Sequence, residues 1–372
     1  MSANDSATGL VWDRRYLDHK TDTIGPYGPL TPPTTPIWPD RHPECPERLI
    51  RMKMLIDVSQ LKEKLIPIPP RKATVDEISL AHTREYIEKV QRICEEGGGD
   101  AGEGAPMSIE SYEVARLAAG GALAAVEGVM EKRVTNAYAL IRPPGHHAVA
   151  DLGKGFCVFN NVVIAAKYLQ KKYGLTRILI VDWDVHHGNG TQDAFYEDPT
   201  ILFVSTHQDQ LYPVGYGDID QVGKGKGEGF TVNIPFPPGT GDQGYLLGFE
   251  RVIKPIALQF RPEFVLISAG QDPSLRDPLG RQMVTMKGFR QLATILREVA
   301  EECCQGKLVA LQEGGYSLAY VPYATLGVLE GLSQLESGVI DSSRCPPENY
   351  GEHTERWIEN VAEVQRRYWK LS

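Results

Sequence analysis

No run of eighteen consecutive apolar residues occurs in the 372-residue chain, so no segment reads as a membrane-spanning helix. The opening stretch MSANDSATGL has neither a basic segment nor an apolar one, which sets the expectation of a soluble, unexported, cytoplasmic protein. Cysteine is scarce. Cys45, Cys94, Cys157, Cys303, Cys304 and Cys345 show no C-x-x-C spacing, which argues against a disulfide framework or a closed zinc module and fits a reducing compartment. Lys and Arg number 39 against 48 acidic residues, a net charge of -9, and they are dispersed. Without a basic stripe, direct binding of nucleic acid is not expected. Internal repeats and low-complexity segments are also lacking, and no linker divides the chain, so residues 1–372 are read as a single domain.

Hydrophobic residues make up 42% of the chain, enough for a large core. Strand-like runs (NAYALI, RILIVDWD, TILFVSTH, FTVNIP, EFVLISAG, KLVALQ) alternate with helical stretches such as YEVARLAAGGALAAVEGVM. That alternation predicts an α/β fold with a mostly parallel β-sheet flanked by helices. Trp357, Val361, Val364 and Tyr368 fall at helical spacing and predict one apolar face of a C-terminal helix. Residues 25–46 carry eight of the 26 prolines and are read as a long ordered loop, with Tyr27, Ile37 and Trp38 favouring packing.

Chemistry collects at strand ends. In VDWDVHHGNG, Asp182, Asp184 and His186 would share one face of an extended strand while Trp183 and Val185 take the other. One such motif could equally be a buried aspartate paired with histidine. Three other strands end in the same way, however: YALI runs into RPPGHHA with His146 and His147, EFVLI into SAGQD with Asp272, and LVALQ into EGGY with Tyr316. In a parallel sheet all four ends lie along one edge, where open α/β sheets place their sites.

Asp184, His186 and Asp272 then supply three ligands for a divalent ion, zinc or ferrous iron, with a position left open for water or substrate. Such an ion acidifies water and polarises a carbonyl, which points to hydrolysis of an amide or ester. His146 and His147 are candidates for general base and acid, with Asp182 orienting one of them. Tyr316, freed to approach by two preceding glycines, is a candidate donor to the developing oxyanion.

With these motifs in view, the sequence resembles the zinc-dependent histone deacetylase family, within the arginase/deacetylase fold. The likeness runs over roughly residues 40 to 320, through HPECPERL, RPPGHHA, GFCVFNNVVIAA, DWDVHHGNGTQDAFY, SAGQD, RDPLG and QEGGYS. Its wording is closest to the class II branch and bacterial histone-deacetylase-like amidohydrolases. The resemblance implies zinc on Asp184, His186 and Asp272, the general base at His147, its electrostatic partner at His146, and the oxyanion role at Tyr316. It further implies a narrow tunnel walled by Phe156 and Tyr212, with the 25–46 loop near its rim and the Gly155 carbonyl accepting the substrate amide N–H. A structural potassium or sodium ion would be held by Asp182, Ser205 and the backbone carbonyls of Asp184, His186 and Thr206. Self-association as a dimer or tetramer is implied by the same likeness.

Departures from the family pattern carry information too. Asn189 stands where class I relatives have aspartate, so His147 lacks a charged partner and its pKa should be raised less. Gln271 replaces the Phe of many relatives, and Leu279 stands where polyamine-selective relatives carry glutamate. The sequence therefore points to removal of acetyl or other acyl groups from lysine side chains. An amidohydrolase for acetylpolyamines or other small amides is the alternative, and a silent acyl-lysine binder the second; a two-ion manganese site needs more ligands than are visible.

Overall fold

The computed structural model describes residues 7–21, 41–343 and 351–372. Most of the proline-rich stretch, residues 25–40 with Tyr27, Ile37 and Trp38, lies outside the described residues, as does Cys345. The end of that stretch enters helix α1 (Pro46–Val58), where Pro46 occupies the first turn and its missing N–H is tolerated.

Eight strands form one sheet: β1 (Thr8–Val11), β2 (Ile66–Ile68), β3 (Asn136–Ala139), β4 (Ile178–Asp182), β5 (Ile201–Gln208), β6 (Thr231–Phe236), β7 (Phe264–Ala269) and β8 (Leu308–Gln312). Every pairing within it is parallel, and the order is β6-β5-β4-β7-β8-β3-β1-β2. All six strands expected from the apolar runs are present. Strands β4, β5, β7 and β8 are buried throughout, as continuous branched apolar segments must be when helices cover both faces. Strands β1 and β2 were not legible, because TGLV and IPI are too short to show a period.

The strand order decides where chemistry meets. The chain leaves β4 outward through β5 and β6, then returns to insert β7 and β8 between β4 and β3. The four strands with reactive ends are therefore consecutive neighbours, β4-β7-β8-β3, with Asp182 beside Ser268 and Ala269 beside Gln312.

Helix α2 (Ser111–Met130) packs on α3 (Asn161–Tyr173), a short α4 (Asn189–Phe195) follows the β4 loop, and α5 (Met286–Cys304) packs on α6 (Val321–Ser333), which also meets α1. One connected apolar core runs from Leu10 to Ala362. The C-terminal helix α7 (Glu352–Gln365) corrects the expected stripe in part. Val361 and Val364 are buried together with Ile358 and Ala362, whereas Tyr368 lies beyond the helix end with its hydroxyl on Glu228 at 2.8 Å. Trp357 is only half-buried and donates its indole N–H to the Pro235 carbonyl. Among the described residues no helix is long and apolar enough to cross a membrane.

Candidate active site

Strand β4 stops at Asp182, so alternation along a strand is not what brings Asp182, Asp184 and His186 together. Two consecutive side-chain-to-backbone turns do. Asp182 Oδ1 accepts the N–H of Asp184 at 3.1 Å, and Asp184 Oδ1 accepts the N–H of His186 at 3.0 Å. Trp183 is driven the other way into the core, against Phe249 and Phe289.

His186 Nδ1 lies 3.1 Å from Asp184 Oδ1 and 3.2 Å from Asp272 Oδ2, and one ligand atom from each of the three residues falls within 4.8 Å of the others. The remaining carboxylate oxygens are tied to backbone: Asp184 Oδ2 accepts from Gly314 N and Asp272 Oδ1 from Val185 N, both at 2.8 Å. A Cβ on Gly314 would sit 2.2 Å from Asp272 Oδ2 and 2.6 Å from Asp184 Oδ2, so only glycine leaves the carboxylates their space. Burial and the neighbouring Asp184 push Asp272 up to about 8, while burial of Asp184 is outweighed by His146 and His186, which hold it below the usual carboxylate range. Two buried carboxylates converging on one imidazole, with their outer oxygens already used, form a donor set that fits a divalent zinc-like ion.

Behind this set stand two histidines whose rings are 3.9 Å apart. His146 Nδ1 is 2.9 Å from Asp182 Oδ2, and His147 Nδ1 is 2.8 Å from Asn189 Oδ1. Burial works against the charged form of both. For His146 the Asp182 and Asp184 carboxylates outweigh it and hold the imidazole up to about 10. For His147 burial and the charges of His146 and His186 act together, and its pKa falls well below the ordinary value. The arrangement therefore presents a protonated imidazole beside a neutral one.

A cavity of about 300 Å³ opens over these groups, its lining including His147, Phe156, His186, Tyr212, Leu279 and Tyr316, and also Glu103, Gly104 and Gly155. Tyr212 stands edge-on to His147 at 5.0 Å, and Phe156 edge-on to Tyr316 at 5.9 Å. A Cβ on Gly155 would lie 2.5 Å from the His147 ring, so glycine is what lets this wall close. Phe156 itself holds φ at +69°, a conformation uncommon for a bulky residue, pinned by its N–H on the Gly104 carbonyl at 2.7 Å.

Ser205 and Thr206 lie on β5 beside Asp182, fully buried, with Asp182 and Ser205 in register. The Ser205 hydroxyl is 3.1 Å from His207 Nδ1, and that of Thr206 is directed to the Asp182 carbonyl at 3.5 Å. Gln271, which could have lined the channel, does not: it is fully buried, and its amide joins Tyr138 Oη at 2.9 Å and Gln312 Nε2 at 2.6 Å. Asp277 likewise turns inward, accepting the N–H groups of Leu279, Tyr316 and Ser317, so the carboxylate closest in sequence to Leu279 is withdrawn from the mouth.

Some structural contributors were not singled out from the sequence, although their motifs were. Glu44 accepts Arg48 Nη1 at 2.8 Å and Arg142 Nε at 2.7 Å, all three fully buried. Arg48 also donates to the carbonyls of Gly315 and Glu313, each at 2.6 Å, and its guanidinium lies 4.7 Å over the Tyr316 ring. Arg142 opens the loop that carries His146 and His147. Glu313 caps that loop by accepting Gly145 N at 2.6 Å and His146 N at 3.2 Å. HPECPERL, RPPGHHA and QEGGYS contain these residues, but nothing local shows which atoms they reach.

Residues 42–332 match the model of the histone deacetylase domain. The chain is 39% identical over 380 residues to a probable deacetylase of Archaeoglobus fulgidus, covering 98% of this chain and 99% of that protein. It is 40% identical to a histone deacetylase-like amidohydrolase of Pseudomonas aeruginosa, over 82% of this chain and 80% of the other. A crystal structure of the HDA15 HD domain superposes with a TM-score of 0.84 at 32% identity, covering 98% of this chain and 95% of that one. The fold and the site define a hydrolase of the arginase/deacetylase architecture. This chain belongs to the histone deacetylase family.

Proposed function

We propose that the chain is a zinc-dependent, class II-like amidohydrolase, acting as one catalytic domain in the cytoplasm, that removes acetyl or related acyl groups from lysine side chains. The observation that carries this reading is the pair of unlike histidines set against the Asp184, His186 and Asp272 cluster, beside a cavity lined by Phe156, Tyr212 and Tyr316. A divalent ion held by those three residues would supply Lewis acidity, polarising the amide carbonyl and acidifying a water molecule.

The chain's own residues do the rest. Phe156 and Tyr212 flank the methylene stem of the substrate, and the Gly155 carbonyl accepts its amide N–H. His147, neutral at physiological pH, takes a proton from the attacking water as the oxygen–carbon bond forms. His146, kept cationic by Asp182, stabilises the negative charge that develops. The Tyr316 phenol, which burial holds well above its usual range and thus protonated, donates to the oxyanion. As the carbon–nitrogen bond breaks, the proton on His147 passes to the leaving amine. Asp182 and Ser205, with the backbone carbonyls of Asp184, His186 and Thr206, are assigned a structural potassium or sodium ion, and self-association as a dimer or tetramer is part of the same reading.

An acetylpolyamine substrate is the second reading, favoured by Glu103, the carboxylate on the cavity lining. Its charge is paired with Lys154 at 2.9 Å, however, and Leu279 offers only apolar surface. Turnover of acetyl-lysine peptides against acetylspermidine and acetylputrescine, by protein of measured metal content, tests both. More efficient turnover of the polyamines would replace the first reading with the second.

A further inference from the structure

Apart from Asp184, His186 and Asp272, the described residues contain another convergence of metal-binding side chains: His146, Cys157 and Glu313. A ring nitrogen, a sulfur and a carboxylate oxygen from these three lie within 4.8 Å of one another, and all three residues are buried. They come from separate segments, the loop after β3, the turn just past the channel wall at Phe156, and the end of β8.

Several features set this group apart from incidental buried polarity. Glu313 Oε1 has no hydrogen-bond partner among the described residues, although its Oε2 accepts two backbone N–H groups. A buried carboxylate oxygen without a partner is rare and calls for an explanation such as an ion. His146 carries Asp182 on Nδ1, the outer carboxylate that typically orients a metal-binding imidazole and makes its other nitrogen a better ligand. The Cys157 thiol is engaged only weakly, donating to the Gly155 carbonyl at 3.4 Å and accepting from the His147 backbone N–H.

We propose that His146, Cys157 and Glu313 form a second, inhibitory site for a zinc-like divalent ion on the inner side of the channel wall. Imidazole, thiolate and carboxylate together suit zinc rather than magnesium or calcium, which prefer oxygen alone. Binding forms bonds to the His146 nitrogen, the Cys157 sulfur and a Glu313 oxygen, and releases the thiol proton and the imidazolium proton to solvent. His146 then no longer serves as the charged partner of His147, and hydrolysis stops while the three-ligand cluster stays filled. This last consequence rests on the proposed reaction; the existence of the site does not.

The test is stepwise addition of cobalt(II) to the metal-free full-length chain, followed by near-ultraviolet absorption. The first equivalent should fill the Asp184, His186 and Asp272 cluster, which contains no sulfur. The second should bring thiolate-to-cobalt charge-transfer absorption, and Cys157→Ser should lack it while still binding the first. In activity assays, excess zinc should inhibit the wild type, and Cys157→Ser, with ordinary activity at stoichiometric metal, should need at least about tenfold more zinc for the same inhibition. Glu313→Gln, which keeps an acceptor for Gly145 N–H, should weaken the second cobalt equivalent in the same direction. Absence of thiolate absorption at any cobalt excess, or equal zinc sensitivity in Cys157→Ser, would overturn the proposal. Were the protein to show no amidohydrolase activity, the absorption titration alone would still decide the site.

Discussion

His146 and His147 hold their rings 3.9 Å apart and are driven in opposite directions, the first up to about 10 and the second well below its ordinary value. Their partners differ by one charge: Asp182 behind the first, Asn189 behind the second. Activity should therefore rise on the acid side as His147 gives up its proton, and fall on the alkaline side as His146 loses its own. Replacing Asp182 with Asn should move the alkaline limb down by about one unit or more, since an adjacent opposite charge is worth that much. An unchanged kcat/KM profile in that variant would break the assignment.

Asp184→Ala or His186→Ala should leave the protein without its catalytic ion and without activity. Metal analysis of the purified wild type should find one tightly held divalent ion per chain, zinc or ferrous iron. Full turnover by chelated, metal-free protein would contradict this.

Tyr316→Phe should keep the metal and lose about 10²- to 10³-fold in kcat, the typical cost of one oxyanion donor. KM should move little, because the hydroxyl acts on charge that exists only in the transition state. Wild-type kcat in the variant would remove the phenol from the mechanism.

Glu44 concerns stability. Burial alone would raise its pKa, but the Arg142 and Arg48 guanidiniums bring it from an ordinary 4.5 down to about 2. A carboxylate depressed in the folded state stabilises fully above its unfolded pKa, so this contribution is present above pH 4.5 and disappears as pH falls toward 2. Glu44→Gln should destabilise by about 3–5 kcal/mol at neutral pH, the cost of leaving buried charges uncompensated. It should also flatten acid unfolding over that window, as followed by denaturant midpoints.

Leu279→Glu should move the ratio of kcat/KM toward acetylpolyamines by up to about fivefold, the equivalent of a partly exposed ion pair. Asp277 cannot mask the effect, because its oxygens are committed to three backbone N–H groups. An unaltered ratio would mean that Leu279 does not face the substrate.

How much was legible beforehand follows from the range of the interactions. The six strands and the long α2 helix are set by apolar runs and spacing over a few residues, so the α/β class and the strand ends that carry Asp184, His186, Asp272, His146, His147 and Tyr316 could be read from the chain alone. The two short strands β1 and β2, of four and three residues, could not, since so few positions carry no period. Tertiary structure decided what depends on partners distant in the chain. The order β4-β7-β8-β3 made the four ends neighbours, and side-chain turns after Asp182, rather than strand alternation, aimed the ligands. Packing against Tyr138 and Gln312 took Gln271 out of the channel, and backbone N–H groups from the 279 and 316 segments turned Asp277 inward. Glu44, Arg48 and Arg142 show the same division: their identities are local, but a buried charge finds its counter-charge and carbonyl partners only once segments as far apart as residues 48 and 315 have met, because only then is water excluded and pairing required.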